Sequence, residues 1–256
     1  MMKVDAVILA GAPNDGQLKE VSPERWEAAI PIQGKPMVNY VIEALQNSSR
    51  IAKIVVVAPL EIQGDLTPGV MVVEAGCSLT ENIFRGMDVL QKENPVLFVT
   101  SDIPFVHAEA IDDFLDRCEE LEGEIFYPLV SREANEQLYP EAVRTYFTLK
   151  EGSFTGGNVL LAEPQAVINS RWIMDQVFER RKKPFMIIRM LGLFFILKFC
   201  LKKLTLRELE RRASEILGHS GVSIISPYPE LGTDVDKPSD LALAEKTIAA
   251  VQGKEA

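Results

Sequence analysis

The chain has 256 residues, 47% hydrophobic and 25% charged, the composition of a globular protein with a sizeable core rather than a disordered, fibrous or disulfide-stapled one. Its formal charge of −10 argues against nucleic acid as a partner, and three scattered cysteines, Cys77, Cys118 and Cys200, form neither a disulfide framework nor a metal-binding pair, so buried thiols in a reducing cytoplasm are expected. The longest uncharged run, 216–229, spans 14 residues against about 18 for a membrane helix, while Asp5 and Gly11 leave no room for a signal-peptide core, so a cytoplasmic location is expected.

Val4 to Ala10 is a short apolar run ending at Gly11, as expected of a strand buried on both faces of a parallel sheet. Similar runs cover Lys53 to Ala58, Val70 to Glu74, Val96 to Thr100 and Ile125 to Val130. Between them the apolar spacing predicts helices over Pro36 to Gln46, Leu79 to Leu90 and Glu109 to Leu121, the second opened by an S-x-x-E capping box at Ser78 and Glu81. This alternation predicts a Rossmann-like α/β/α sandwich around a mostly parallel central sheet. From Phe154 to Leu161 a glycine-marked turn feeds a strand. A second capping box at Thr205 and Glu208 starts a helix with Leu206, Leu209, Ala213 and Ile216 inward and Gly218 at its end. Val222 to Ser226 is the last expected strand, and Pro238 to Val251 the closing helix, with Asp240 in its first turn.

In an open α/β sheet, ligands bind beyond the carboxyl ends of the strands, so residues just after each apolar run are the candidates. The loop from Leu9 through Ala10, Gly11 and Ala12 to Lys19 can bring backbone N–H groups to a phosphate or base, with Lys19 supplying charge; a ligand-free turn reads the same way. Asp102, directly after the Val96 run, suits Mg²⁺ or a helix cap. Gly156, Gly157 and Asn158 permit close approach of a sugar or alcohol phosphate, or form a β-bulge. Asp234 and Asp236, one residue apart in an extended segment, share a face; one can complete a metal site begun by Asp102, with N-capping by Asp236 the alternative.

Together these pieces resemble the nucleotidyltransferases of the GT-A-like, nucleotide-diphospho-sugar transferase fold, the group containing molybdenum cofactor guanylyltransferase, methylerythritol-phosphate cytidylyltransferase and the sugar-1-phosphate pyrophosphorylases. The matching motifs are V-I-L-A-G at Val7 to Gly11, I-P-I-x-G-K-P-M at Ile30 to Met37, S-D-I-P at Ser101 to Pro104, T-G-G-N at Thr155 to Asn158 and D-V-D-K-P-S-D-L at Asp234 to Leu241, in matching order. The resemblance implies transfer of a nucleoside monophosphate from an NTP to a phosphorylated small-molecule acceptor, with Mg²⁺ and release of pyrophosphate. It further implies that Leu9 to Ala12 and Ser101 hold the nucleotide. Asp102 with Asp234 or Asp236 would hold the metal, and Gly156 to Asn158 would face the acceptor. Ser78 resembles a serine beside the base in the cytidylyltransferases, although its place at a helix start favours a plain N-cap. A glycosyltransferase of this fold would carry Asp-x-Asp where this chain reads Ser101-Asp102-Ile103.

Two departures concern charge. Where the family carries an Arg in the first loop and a Lys before the A-x-I-P-I stretch, this chain has Asn14-Asp15-Gly16 and Glu27. Lys19, ahead of Arg25 and Lys35, is the expected replacement, and loss of activity in a nucleotide-binding regulatory or scaffold protein is the other reading. The nucleotidyltransferase domain is expected over 1–162 and 222–256, with a helical insert over 163–221. Within it, 180–212 holds 11 Lys/Arg and 2 Asp/Glu around the apolar stretch Met190 to Leu197. Burial, a partner subunit or peripheral contact with an anionic membrane would each satisfy that stretch, the last suggesting a lipid acceptor.

Overall fold

The computed structural model of the chain describes residues 2–180 and 192–255. In chain order the strands are β1 (Val4–Leu9), β2 (Pro31–Ile32), β3 (Lys35–Pro36), β4 (Ile51–Ala58), β5 (Met71–Glu74), β6 (Val96–Thr100), β7 (Ile125–Ser131), β8 (Phe147–Leu149), β9 (Gly152–Gly156), β10 (Val159–Ala162) and β11 (Gly221–Ser226). The α-helices are α1 (Met37–Asn47), α2 (Leu79–Asp88), α3 (Ala108–Glu119), α4 (Arg132–Leu138), α5 (Pro164–Asn169), α6 (Arg171–Arg180), α7 (Leu193–Cys200), α8 (Leu206–Leu217) and α9 (Pro238–Glu255). Each expected strand and helix is present, with ends moved by one to a few residues, as fraying and terminal turns dictate.

Nine strands form one sheet in the order β5-β4-β1-β6-β10-β7-β9-β8, with β11 on the other edge of β7. The run β5-β4-β1-β6 is parallel, so the carboxyl ends of β1 and β6 emerge side by side. Antiparallel β10 separates β6 from β7, and β11 runs parallel to β7. A mostly parallel sheet covered by helices on both faces is the α/β fold expected from the alternation. Period-two geometry sends Ile8, Val56, Leu97 and Val99 to one face, against Val41, Ile42 and Leu45 of α1 and Phe114 of α3. Val7, Val55, Val57 and Phe98 go to the other, against Ile83 and Met87 of α2.

The thiols differ from expectation: Cys118 is buried, but Cys77 and Cys200 are exposed. The first capping box is incomplete. Ser78 Oγ accepts the Glu81 N–H at 3.1 Å, but the Glu81 carboxylate takes the N–H of Cys77, one residue too early, and the Arg85 guanidinium. The second is complete at Thr205 and Glu208, and α8 ends at Gly218 with φ +72°. Leu206, Leu209, Ala213 and Ile216 on α8 are half-buried rather than enclosed, because the helix packs along β11 near the sheet edge.

Met190 and Leu191 of the basic apolar stretch, with Arg181, Lys182, Lys183 and Arg189, lie outside the described residues. From Gly192 onward the stretch forms α7. There Phe195 packs against a cluster of Leu129, Leu149, Phe154 and Leu204, while Leu197 and Phe199 remain exposed and Lys198 pairs with Glu208. Among the described residues no helix is long and apolar enough to cross a membrane.

Candidate active site

The site grows from the adjacent ends of β1 and β6. Asp102 stands two residues past β6, and Thr100 Oγ1 donates to its Oδ1 at 2.5 Å. After β11 a 3₁₀ turn (Pro229–Gly232) leads into an extended segment. The Val235 N–H in that segment donates to the Asp102 carbonyl at 2.8 Å. This single backbone bond sets two loops, more than a hundred residues apart in sequence, side by side. Asp234 and Asp236 flank Val235, so both fall beside Asp102, and the three side chains each bring an oxygen within 4.8 Å of the others. The capping alternatives do not describe these acids. Helix α3 starts at Ala108 behind His107, well past Asp102, and at α9 the Asp240 carboxylate accepts the Asp236 N–H at 3.3 Å.

Three carboxylates with no nitrogen or sulfur donor among them form a hard, oxygen-only set suited to Mg²⁺. Among the described residues, a cation faces them. Arg144 is 8% exposed and donates both to the Asp234 carboxylate and to its carbonyl, with the Asp240 carboxylate 4.0 Å away. Nothing in the sequence pattern marks Arg144; it lies in the irregular stretch between α4 and β8. Glu27 stands in the field of the same acids, since burial and then the carboxylates of Asp236 and Asp15 push its pKa upward.

Charge crowding shows in the acids themselves. Burial, reinforced by Asp236 and opposed by the Thr100 hydroxyl, pushes Asp102 up to about 6. Burial also pushes Asp234 up to about 7, with Arg144 opposing and Asp236 and Asp102 reinforcing the rise. Both acids therefore bind protons more tightly in the folded chain than in the unfolded one, where their pKa is 3.8. Their contribution to stability is complete below pH 3.8 and is lost as pH rises through about 6 to 7. In EDTA, the melting temperature of the wild type relative to Asp234→Asn should fall by roughly 5 °C between pH 5 and pH 8. Added Mg²⁺ should reverse that fall. A constant difference across the range would contradict the crowding.

The remaining candidates fall around this cluster with differing clarity. Leu9 ends β1, and the Ala12 carbonyl accepts the Glu27 N–H at 3.1 Å. Gly11 has a packing role, because a Cβ there would lie 2.8 Å from the Ala75 Cβ and 2.9 Å from the Asn82 amide. Asn14 turns inward, donating to the Ser22 and Glu24 carbonyls, and so pins the loop rather than facing a phosphate. Lys19 is exposed on a 3₁₀ turn (Gln17–Glu20) that the fully buried Leu18 anchors. Arg25 pairs with Glu61, and Lys35 pairs with Glu43 over the Tyr40 ring. Ser78 is exposed as the N-cap of α2, and Ser101 is buried beside Asp102.

The glycine turn is a ladder break. Leu129 of β7 opposes Gly156, but Phe126 opposes Leu161, so the two residues between them on β7 face four, 157–160, on its neighbour. A Cβ on Gly156 would meet the Tyr127 hydroxyl at 2.3 Å, and one on Gly157 would meet Pro128 Cγ at 2.6 Å. Asn158 accepts the Thr100 N–H at its carbonyl, 3.0 Å, and donates its own N–H to the Leu231 carbonyl, 2.7 Å. The turn thus touches both acid-bearing loops through backbone bonds.

The family model for the MobA-like NTP transferase domain matches residues 16–177. A hypothetical transferase from Thermus thermophilus is 34% identical in sequence, with a TM-score of 0.84 over 94% of this chain and 100% of its own. A CMP:2-keto-3-deoxy-manno-octonic acid synthetase complexed with CTP shares the fold at 13% identity, TM-score 0.60, over 97% of this chain and 99% of its own. A 4-diphosphocytidyl-2C-methyl-D-erythritol synthase from Anaerococcus prevotii does so at 9% identity, TM-score 0.56, over 97% and 99%. No curated protein matches the chain.

Proposed function

Because the chain belongs to the family of MobA-like NTP transferase domains, we propose that it moves a nucleoside monophosphate from an NTP to a phosphorylated small-molecule acceptor, with Mg²⁺, releasing pyrophosphate. The observation that carries this reading is the grouping of Asp102, Asp234 and Asp236 within 4.8 Å at the carboxyl end of the sheet. An acceptor phosphate oxygen attacks the α-phosphorus in line. The bond from that phosphorus to the bridging oxygen of the β-phosphate breaks, and its electron pair leaves with pyrophosphate. Such chemistry asks the protein for alignment and for charge neutralisation more than for covalent help.

In this assignment the backbone of Leu9, Ala10, Gly11 and Ala12, with Ser78 and Ser101, holds the nucleotide. Gly156, Gly157 and Asn158 face the acceptor, and the three aspartates hold the metal. Mg²⁺, when bound, supplies the charge that lets two phosphates approach and offsets the charge building on the leaving group. Arg144 holds Asp234 in place and balances one of the crowded carboxylates. Lys19 serves the triphosphate in place of the cations absent at Asn14 to Gly16 and Glu27. Lys19→Ala should then lower turnover about 10²-fold, the scale for one lost charge-stabilising group, with the melting temperature unchanged since the side chain is exposed. Unchanged kinetics would remove Lys19 from the mechanism.

Testing the whole reading means incubating the chain with each of four NTPs, Mg²⁺ and a panel of phosphorylated acceptors while measuring pyrophosphate. Acceptor-dependent release with one NTP is expected. The acidic Glu27 beside the cluster favours a second reading, a nucleotide-binding protein without turnover, and NTP binding with no release under any pairing would select it.

A further inference from the structure

Between α7 and α8 the chain forms a protrusion that neither the core nor the nucleotide assignment uses. It is rooted at both ends. Phe195 packs against Leu129, Leu149, Phe154 and Leu204, and Leu204 is buried, its carbonyl accepting the Lys150 N–H at 2.8 Å. Between these roots the surroundings invert: Leu197 is 53% exposed, Phe199 39% and Leu201 56%, and Cys200, Lys202 and Lys203 are exposed as well. A helix lying along a protein surface hides one side, so its exposed residues recur with the helical period. The unbroken exposure of 199–203 instead marks a tip that water surrounds. The turn ending α7 closes through the Lys202 and Lys203 N–H groups, which donate to the Phe199 and Lys198 carbonyls at 2.9 Å. Lys202 takes φ +55° there, the left-handed conformation for which glycine is the ordinary choice.

Single exposed apolar side chains are ordinary on a globular protein; Leu197, Phe199 and Leu201 together at a projecting tip are not. Their charge setting identifies what they meet. Residues 192–207 hold four Lys/Arg and no Asp/Glu, although the whole chain has 27 against 37. Lys198 is occupied by Glu208, and the Glu151 carboxylate by the Leu206 N–H at 3.1 Å. Among the described residues no carboxylate pairs with Lys202, Lys203 or Arg207. An apolar tip collared by unpaired cations suits a surface that offers anions at its boundary and hydrocarbon just behind it, which is a bilayer with acidic headgroups. A protein face would need a pocket shaped around the tip, whereas acyl chains yield to any shape. We infer that the 197–203 tip inserts shallowly into an anionic membrane, with Lys202, Lys203 and Arg207 among the headgroups. The acidic remainder of the chain is repelled by the same surface, so the field turns the tip toward it. Seven residues reach the interface without spanning the bilayer, and the contact is independent of the transfer chemistry.

The test is cosedimentation of the full chain with vesicles of phosphatidylcholine alone and with about one-third phosphatidylserine, in about 50 and about 500 mM NaCl. Binding to the serine-containing vesicles at low salt is expected, weakened at high salt by screening of the cations. Lys202→Ala and Lys203→Ala should each lower the partition coefficient about fivefold. Leu197→Ser, Phe199→Ser and Leu201→Ser combined should reduce it to background with the melting temperature unchanged, because these side chains are exposed. Insertion has its own readout. In a Cys77→Ser background a nitrobenzoxadiazole label goes to the exposed Cys200 rather than the buried Cys118, and its emission should brighten and shift to the blue on binding. No sedimentation with the anionic vesicles at low salt overturns the assignment. So does binding that both the serine and the alanine variants leave intact, or a label whose emission stays that of water. Self-association at rising protein concentration, lost in the serine variant and accompanied by no lipid binding, refutes the membrane and assigns the tip to a second copy of the chain.

Discussion

Asp102→Asn is expected to abolish most nucleotidyl transfer, by about 10²- to 10³-fold or more, while making the metal-free protein more stable at pH 8. The two effects share one cause. Asp102 lies within 4.8 Å of Asp234 and Asp236 and is pushed up to about 6 by burial and by Asp236. At pH 8 its ionised form is held against both desolvation and a neighbouring charge, a cost that asparagine removes without changing shape. The same ionised form is what a divalent cation requires, so the strain belongs to the function. The experiment pairs pyrophosphate release at saturating Mg²⁺ with thermal unfolding in EDTA at pH 8. A variant as active as wild type would take Asp102 out of the site. A variant less stable than wild type would show that the carboxylate is structural, held by Thr100 for the sake of the loop rather than for a ligand.

Asp102, Asp234 and Asp236 are readable from the sequence because their positions follow from topology. Each stands just past an apolar run or at a helix entrance, where a parallel sheet presents its ligand-facing edge. Two acids at i and i+2 in extended backbone must share a side. What brings them to Asp102 is the Val235 to Asp102 backbone bond, a long-range register that no local pattern encodes. The order of the sheet is hidden for the same reason. Antiparallel β10 between β6 and β7 depends on the break at Gly156 to Asn158, and the sequence marks the glycines without saying whether a ligand or Tyr127 and Pro128 require them. Arg144 is invisible to periodicity because it belongs to no regular element, and a lone Arg in a loop is ordinarily a solvated one. Arg25 and Lys35 show the converse: both are cations near the right motif, and both are engaged elsewhere, with Glu61 and Glu43.

Arg144→Gln should produce the largest combined loss of stability and metal response. Its guanidinium is nearly enclosed and is the group that lowers the pKa of Asp234 against burial, Asp236 and Asp102. Removing one partner of a buried ion pair typically costs about 3–5 kcal/mol, because the other charge is left uncompensated. At roughly 2 °C or more per kcal/mol for a domain of this size, the metal-free melting temperature at pH 8 should drop by about 6–10 °C. Without the cation Asp234 holds its proton to higher pH, so the concentration of Mg²⁺ needed for half-maximal activity should rise at pH 7, and rise less at pH 9, where the acid ionises regardless. Mg²⁺ should also restore more of the lost stability in the variant than it adds to the wild type, because it replaces the missing positive charge beside Asp234. Arg144→Lys keeps the charge but cannot grip the carboxylate and the carbonyl of Asp234 with one planar fork, so it should fall between the two. Equal Mg²⁺ dependence in wild type and Arg144→Gln at pH 7 would separate Arg144 from the metal site. A drop in stability that Mg²⁺ leaves untouched would assign it to holding the Asp234 loop alone.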